Sequence, residues 1–97
     1  MNLYYVYLLR CADATLYCGI TNDLDRRLRD HNGGKGARYT RGRLPVRVVY
    51  REEADSKGEA LRRERAIKKM PKVKKERLAL EWLRDDRQRK DFRRSPY

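Results

Sequence analysis

The carboxylate of Glu64 is the first candidate for chemistry in this sequence, because it falls among apolar residues. The inward stripe of the helix predicted around it consists of Ala60, Leu61 and Ile67. A carboxylate on an apolar face must be paired, neutralised or bound to a metal ion, since an unpaired buried charge is too costly. Two interpretations stay open: an ion pair with Lys68 at i+4, or with Arg63 or Arg65, and a functional site.

Arg27 and His31 form a second candidate pair. They stand four residues apart, so they share one edge of a predicted helix and place a permanent cation beside a titratable ring. The simpler interpretation is structural. His31 near the end of the helix is favoured by the helix dipole, and Arg27 can pair with Asp23.

Tyr7 and Tyr17 are the third pair, and either one could be an ordinary core residue. They lie in predicted strands at residues 3–9 and 15–20, with a turn at residues 12–14. An odd number of loop residues, or a bulge, places both tyrosines on one face of the hairpin, and an even number separates them. The sequence leaves both arrangements open.

The remaining elements follow from changes of pattern along the chain. Asn22 is expected to cap the first helix, Leu24 and Leu28 form its apolar stripe, and Gly33-Gly34 ends it. A basic loop at residues 35–43 carries a short helical turn, and a third strand follows at residues 46–51.

Two further helices are predicted before a charged tail. The first runs from Ser56 or Lys57 to Met70, and Pro71 opens the second, which extends to about Arg84. The second of these helices is expected to bury Val73, Leu78, Leu80, Trp82 and Leu83. Residues 85–97 are highly charged, which predicts a frayed helix end and a mobile tail.

Composition restricts the partners and the location. The 97 residues suit one domain with a modest core, and a formal net charge of +12 favours a polyanion, either nucleic acid or an anionic membrane surface. No apolar run reaches the ~20 residues of a membrane span, and no signal peptide is recognisable, so a cytoplasmic location is expected. Two cysteines and one histidine are too few for a structural zinc site.

The positive charge is concentrated in two stretches. Residues 26–47 hold eight Lys or Arg against one acid, and residues 62–77 hold nine against two. If both stretches face the same way, they form a groove for phosphates. The alternative is a generic solubilising surface, which mixed charges would provide with less self-repulsion.

Taken together, these residues resemble the GIY-YIG nuclease superfamily. The resemblance rests on Tyr5-Val6-Tyr7, Tyr17-Cys18-Gly19, Arg27 with His31-Asn32, and the helical Glu64, and it is strongest to small stand-alone bacterial members. It extends from Tyr4 to about Met70. Tyr5 replaces the glycine of the family motif and Cys18 the isoleucine, both at positions that are not catalytic in that family.

The resemblance implies a set of site residues and a cofactor. Its catalytic residues would be Tyr7, Tyr17, Arg27, His31 and Glu64, with Lys35, Arg38, Tyr39 and Lys69 contacting the nucleic-acid backbone. Glu64 would be the metal ligand for a single Mg²⁺ or Mn²⁺ ion, which can be held by one carboxylate. We favour Tyr17 as general base and Tyr7 as an orienting group, although the roles are exchangeable. Arg27 would lower the phenol's pKa and hold the phosphate.

We therefore predict an α/β fold with a three-stranded antiparallel sheet flanked by helices, in a single nuclease domain at residues 1–84 with a tail at 85–97. The expected function is a divalent-metal-dependent endonuclease acting on nucleic acid, with DNA favoured over RNA and with repair or recombination structures as substrates. A partner protein for substrate choice belongs to this hypothesis; a membrane or a small-molecule cofactor does not. The alternative is a non-catalytic basic module that binds nucleic acid.

Overall fold

The two apolar runs at the start of the chain pair as a hairpin in the computed structural model, which describes residues 3–85. Strands β1 (Tyr4–Arg10), β2 (Leu16–Thr21) and β3 (Arg47–Ala54) form one antiparallel sheet in the order β2-β1-β3. β1 is the central strand, and its residues Val6 to Leu9 are all buried. A continuous apolar run is what a strand covered on both faces requires. The predicted α/β fold and its three-stranded sheet are confirmed.

Each face of the sheet has its own core cluster. One cluster joins Val6, Leu8, Cys18 and Val49 of the sheet to Ala60, Ile67 and Ala79. The other joins Tyr7, Leu9, Cys11, Val46 and Val48 to Leu28 and Trp82. Because neighbouring residues of a strand point to opposite faces, Tyr7 and Leu8 enter different clusters. Cys18 is one of the small buried hydrophobes that fill the first cluster.

Within residues 3–85, four helices flank the sheet: α1 (Leu24–Asn32), α2 (Arg38–Arg41), α3 (Lys57–Lys68) and α4 (Lys72–Arg84). α3 packs on the Val6 face through Ala60 and Ile67, and α1 packs on the Tyr7 face through Leu28. The short α2 is the helical turn predicted in the basic loop. Gly33 lies at the C-terminal cap of α1, so the predicted stop at Gly33-Gly34 is also observed.

The cap of α1 differs from the prediction. Asp23, not Asn22, is the N-cap residue, and its side chain accepts a hydrogen bond of 3.1 Å from the backbone N–H of Arg26. Both residue types are good caps, so composition did not separate them. Likewise Pro71 occupies the cap position of α4, and the helix itself begins at Lys72.

The predicted burial of Val73 and Leu80 is wrong. Val73 is 64% exposed and Leu80 is 50% exposed, whereas Ala79 and Trp82 of the same helix are buried. Successive residues of a helix are about 100° apart, so burying Ala79 turns Leu80 away from the sheet. Only one side of α4 is covered, which leaves apolar residues beyond that stripe in solvent.

α4 ends at Arg84, close to its predicted end, while the predicted mobile tail lies outside the described residues apart from Asp85. Within residues 3–85, each helix is too short or too polar to cross a bilayer.

Candidate active site

Tyr7 and Tyr17 lie on the same face of the hairpin. Five residues separate β1 from β2, and the register places Tyr7 opposite Gly19 and Tyr17 opposite Leu9. Directly opposed residues share a face, and so do residues two apart on one strand, so both phenols point to the α1 side. The loop of five residues therefore places both phenols on one face, as an odd number of loop residues predicts.

Gly19 makes room for the Tyr7 ring. A Cβ atom built on Gly19 would lie 2.7 Å from Cζ of Tyr7 and 3.2 Å from Cε2 of Tyr17. Both tyrosine rings therefore lie close to Gly19. The third residue of the second family motif thus serves packing, because a side chain there would displace the two phenols that flank it.

His31 of α1 meets both tyrosines in the interior. Its ring is fully buried, its Nε2 lies 3.3 Å from the Tyr7 hydroxyl, and its Nδ1 lies 2.8 Å from Oγ1 of Thr40 in α2. The Tyr17 ring packs edge-on against the imidazole, with 5.4 Å between ring centroids. Three elements therefore fix the imidazole, which is more than a helix-dipole role requires.

Burial and Arg27 set the protonation of this cluster. Burial raises the pKa of Tyr7 to about 12, although the Arg27 guanidinium lowers it through a hydrogen bond and through its charge. Burial, and then the positive charge of Arg27, lower the pKa of His31 to about 4. Near neutral pH, Tyr7 is therefore a neutral phenol and His31 a neutral imidazole. Arg27 lies beside both rings, as its predicted role requires.

Tyr39 joins the site by stacking. Its ring lies nearly parallel to that of Tyr17, with 5.8 Å between centroids and 26° between planes, and it is 39% exposed. The Arg43 guanidinium lies 4.1 Å from the Tyr39 centroid, a cation–π distance. Arg43 also donates to Oδ2 of Asp13 at 2.9 Å and to the Tyr39 carbonyl at 2.8 Å. Asp13 and Arg43 therefore tie the β1–β2 turn to the loop that carries Tyr39.

Glu64 projects from α3, on the other side of the sheet. Its side chain is only 16% exposed and lies 3.4 Å from Nζ of Lys68, which is 52% exposed. The ion pair considered from the spacing is thus present. Burial, and next the charge of Glu64, raise the pKa of Cys18 to about 12, which places the carboxylate near the β2 strand.

A groove at the β2 edge connects the two sides. It has a volume of about 380 Å³ and is lined by Leu8, Leu16, Tyr17, Cys18, Tyr39, Lys68 and Lys75. Tyr17 and the lysine that pairs with Glu64 therefore face the same space. β2 is the edge strand, so a ligand there can contact side chains from both faces of the sheet.

Arg27 also lines a smaller polar pocket at the start of α1, of about 170 Å³, together with Thr21, Asn22, Asp23, Arg26 and Asp30. Lys35, Arg38 and Lys69, predicted to contact nucleic acid, are all exposed. The structure thus clusters Tyr7, Tyr17, Arg27 and His31, whereas Glu64 lies on the α3 side of the sheet, paired with a lysine that lines the groove.

Sequence reasoning missed Thr40, Lys75 and Gly36. Thr40 stands inside the basic loop, where a lone threonine reads as a surface residue, yet it is fully buried. A Cβ on Gly36 would lie 2.7 Å from Cα of His31, so this glycine permits close packing of the loop. Lys75 was one of nine basic residues in a run, and charge alone did not distinguish it.

The chain belongs to the GIY-YIG catalytic domain family, whose model matches residues 3–83. Membership in this family supports nuclease activity and binding of nucleic acid. The match covers the sheet and all four helices, so the resemblance noticed in the short motifs extends over the whole described fold.

Relatives of similar size occur in archaea and bacteria. The chain is 53% identical over 75 residues to a UPF0213 protein of Natronomonas pharaonis, covering 77% of this chain and 88% of the relative. It is 46% identical over 84 residues to a UPF0213 protein of Bacillus licheniformis, covering 87% of each. The solution NMR structure of a UPF0213 protein from Bacillus halodurans is also similar. It has 43% identity, a TM-score of 0.56, and coverage of 89% of this chain and 92% of that one.

Proposed function

We propose that this protein is a divalent-metal-dependent endonuclease that hydrolyses phosphodiester bonds in nucleic acid, with DNA, in repair or recombination structures, as its substrate. The observation that carries the proposal is the buried Tyr7–His31 pair beside Arg27 and Tyr17. A binding module needs exposed cations, but it has no use for a desolvated phenol and imidazole next to an arginine. Perturbed groups of this kind are typical of catalytic sites.

Arg27 is the group that holds the scissile phosphate. A guanidinium presents a planar fork of donors that matches phosphate oxygens and stabilises the charge that develops on them. The Arg27 guanidinium lies close enough to the Tyr7 hydroxyl to act on the pKa of the phenol, so Tyr7 stands where it can orient the arginine. The fixed phenol therefore orients the arginine and does not act as the base.

Tyr17 is the better candidate for the general base. It is partly exposed and lines the groove, whereas the Tyr7 hydroxyl is buried and directed at His31. In the proposed step, Tyr17 is the general base that takes a proton from water. The water oxygen forms the new bond to phosphorus as the bond to the sugar oxygen breaks, and the sugar oxygen leaves with the electron pair and takes a proton from solvent.

Cations in and around the groove would hold the rest of the nucleic acid. Lys68 and Lys75 line the groove itself, and Lys35, Arg38 and Lys69 are further exposed cations. Contacts of this type neutralise phosphates without reading sequence. Tyr39, stacked on Tyr17 at the groove wall, fixes the ring of the proposed base.

Glu64 is the residue that would hold the divalent cation. Within residues 3–85, no three His, Cys, Asp or Glu side chains come together as a ligand cluster, so a cation held by Glu64 would have few protein ligands. Mg²⁺ tolerates such a site, because it binds few carboxylates and keeps several waters. The Lys68 ammonium lies 3.4 Å from a carboxylate oxygen of Glu64, and a bound metal ion would take its place. A bound cation would supply charge neutralisation at the phosphate.

Cleavage by a Glu64→Ala variant tests the proposal. Wild-type protein with Mg²⁺ or Mn²⁺ is offered labelled duplex DNA, branched DNA and RNA. The variant is expected to lose cleavage by about 10²-fold or more and to bind the same substrates within about threefold of wild type, because the contacts to phosphates that set affinity remain. Glu81→Ala, at an exposed position of α4, is the matched control and should cut like wild type.

Two results would each contradict a different part of the proposal. Undiminished cutting by Glu64→Ala would remove Glu64 from the mechanism. Wild-type protein that binds these substrates and cuts none of them would favour the non-catalytic binding module.

A further inference from the structure

Thr40 has no part in the mechanism above, yet it is as buried as His31. Its hydroxyl oxygen lies 2.9 Å from the carbonyl of Ala37 and 2.8 Å from Nδ1 of His31. A threonine hydroxyl has one hydrogen to donate and lone pairs with which to accept. The directions of its two hydrogen bonds can therefore be assigned.

The carbonyl of Ala37 can only accept, so Thr40 donates its hydrogen there and accepts from His31. Nδ1 of His31 must then carry the proton. A neutral imidazole has one N–H, so Nε2 is an acceptor, and the Tyr7 hydroxyl 3.3 Å away donates to it. The lone pairs of Tyr7 are left to face Arg27.

We propose that Thr40 is a positioning residue: it fixes the tautomer of His31, so that Tyr7 donates to His31 and keeps its lone pairs for the Arg27 guanidinium. The hydrogen bonds from Tyr7 through His31 and Thr40 to the carbonyl of Ala37 then all run in one direction. The consequence for phosphate binding rests on the proposed function, whereas the tautomer itself does not.

The opposite tautomer of His31 would reverse the direction of its hydrogen bond with Tyr7. With the proton on Nε2, His31 would donate to Tyr7, and the Tyr7 hydrogen would have to point elsewhere. Arg27 has donors and no lone pair, so it cannot accept that hydrogen. The Tyr7 hydrogen would then have no acceptor in either neighbour, and nothing would fix the direction of its lone pairs toward Arg27. The hydroxyl of Thr40 therefore selects between the two neutral tautomers of His31.

The close approach of the loop to His31 supports this assignment. Gly36 leaves no space for a side chain beside the imidazole, and the short α2 brings Thr40 to Nδ1 on the side away from Tyr7. A buried hydroxyl with both partners in hydrogen-bond distance is an ordered group. A valine of the same shape would keep the packing and remove the acceptor.

Thr40→Val and Thr40→Ser separate the hydroxyl from the packing. His31 is the only histidine of the chain, so ¹⁵N-labelled histidine gives one pair of ring-nitrogen NMR signals that reports the tautomer directly. Wild type and Thr40→Ser should show a protonated Nδ1 and an unprotonated Nε2 at pH 7. Thr40→Val should move population to the Nε2–H form, and its cleavage rate at saturating substrate should fall about tenfold, as for one lost hydrogen bond.

The spectra and the cleavage assay can fail independently. An Nε2–H tautomer in wild type, or an unchanged Nδ1–H tautomer in a folded Thr40→Val variant, would overturn the role of Thr40 whether or not the protein cuts. Absence of cleavage in wild type would remove the proposed function and leave the tautomer assignment standing. If Thr40→Val does not fold, the wild-type and Thr40→Ser spectra decide, since both must show Nδ1–H.

Discussion

The proposed site residues are held in different ways on the two sides of the sheet. On the Tyr7 side, Tyr7, His31 and Thr40 come from a strand and two helices and are entirely buried or nearly so. On the α3 side, Glu64 and Lys68 come from one helix, and half of the lysine is exposed. The first arrangement exists only in the folded chain, whereas the second needs little more than a helical turn.

This difference indicates different roles. A buried polar group left without its partner costs on the order of 1–3 kcal/mol, so the Tyr7 side is held in one geometry. A helical Glu–Lys pair at i,i+4 contributes about 0.3–0.5 kcal/mol and is easily exchanged. A rigid side suits the proposed orientation of Arg27, and an exchangeable pair suits the metal ligand proposed at Glu64.

The largest expected effect is a loss of stability on mild acidification. The pKa of His31 is about 4 in the folded protein and 6.5 ordinarily, so the unfolded chain binds more protons between these values. The free energy of unfolding should therefore have its full value above pH 6.5. It should fall by on the order of 3 kcal/mol as the pH drops to 4. Urea unfolding at a series of pH values measures this.

His31→Gln is the control for that measurement. The pKa of Glu76 is lowered by the Arg10 ion pair, so its contribution is lost only below its ordinary value of 4.5. His31 is the only histidine, so it is the side chain expected to be protonated in the unfolded chain and neutral in the folded protein between pH 6.5 and 5. The variant should show a flat profile there. A wild-type profile equally flat, or a His31 pKa near 6.5 by NMR, would show that the imidazole is not held neutral by burial.

Gly36→Ala should have the next largest effect. Its Cβ would lie 2.7 Å from the His31 Cα atom, and a backbone atom cannot move aside cheaply. A loss of about 1–3 kcal/mol in the free energy of unfolding is expected from such overpacking. Gly42→Ala, where a Cβ would meet nothing within 4 Å, is the matched control and should be close to neutral. Equal effects of the two substitutions would mean that the loop does not pack tightly on His31.

Lys68→Gln should have the smallest effect. Removal of an exposed partner from an i,i+4 pair should change the free energy of unfolding by less than about 0.5 kcal/mol. Lys74→Gln, at an exposed position of α4, is the comparison, and both variants are measured by urea unfolding at pH 7. A loss above about 1 kcal/mol for Lys68→Gln alone would show that the pair is structural and that the contrast between the two sides is overstated.

Much of this architecture was predictable from local pattern. The double-sided apolar run of β1, the glycine stop after α1 and the helical spacing of Glu64 and Lys68 are properties of neighbouring residues. Hydrophobic periodicity and i,i+4 contacts depend on local geometry, so sequence reveals them. The same dependence on local pattern explains the wrong prediction that Leu80 is buried. An apolar residue in a helical pattern does not show how much of the helix surface is covered by the rest of the fold.

The sequence by itself determined the secondary structure, the positive charge and the identity of the residues able to do chemistry, since these follow from composition and short-range spacing. Only the tertiary structure decided that both tyrosines share a face, that Thr40 is buried against His31, and that a groove at the β2 edge lies between Tyr17 and the partner of Glu64. Tyr7 and His31 are 24 residues apart, and a hydrogen bond between them depends on where separate elements pack. That packing is a property of the whole fold.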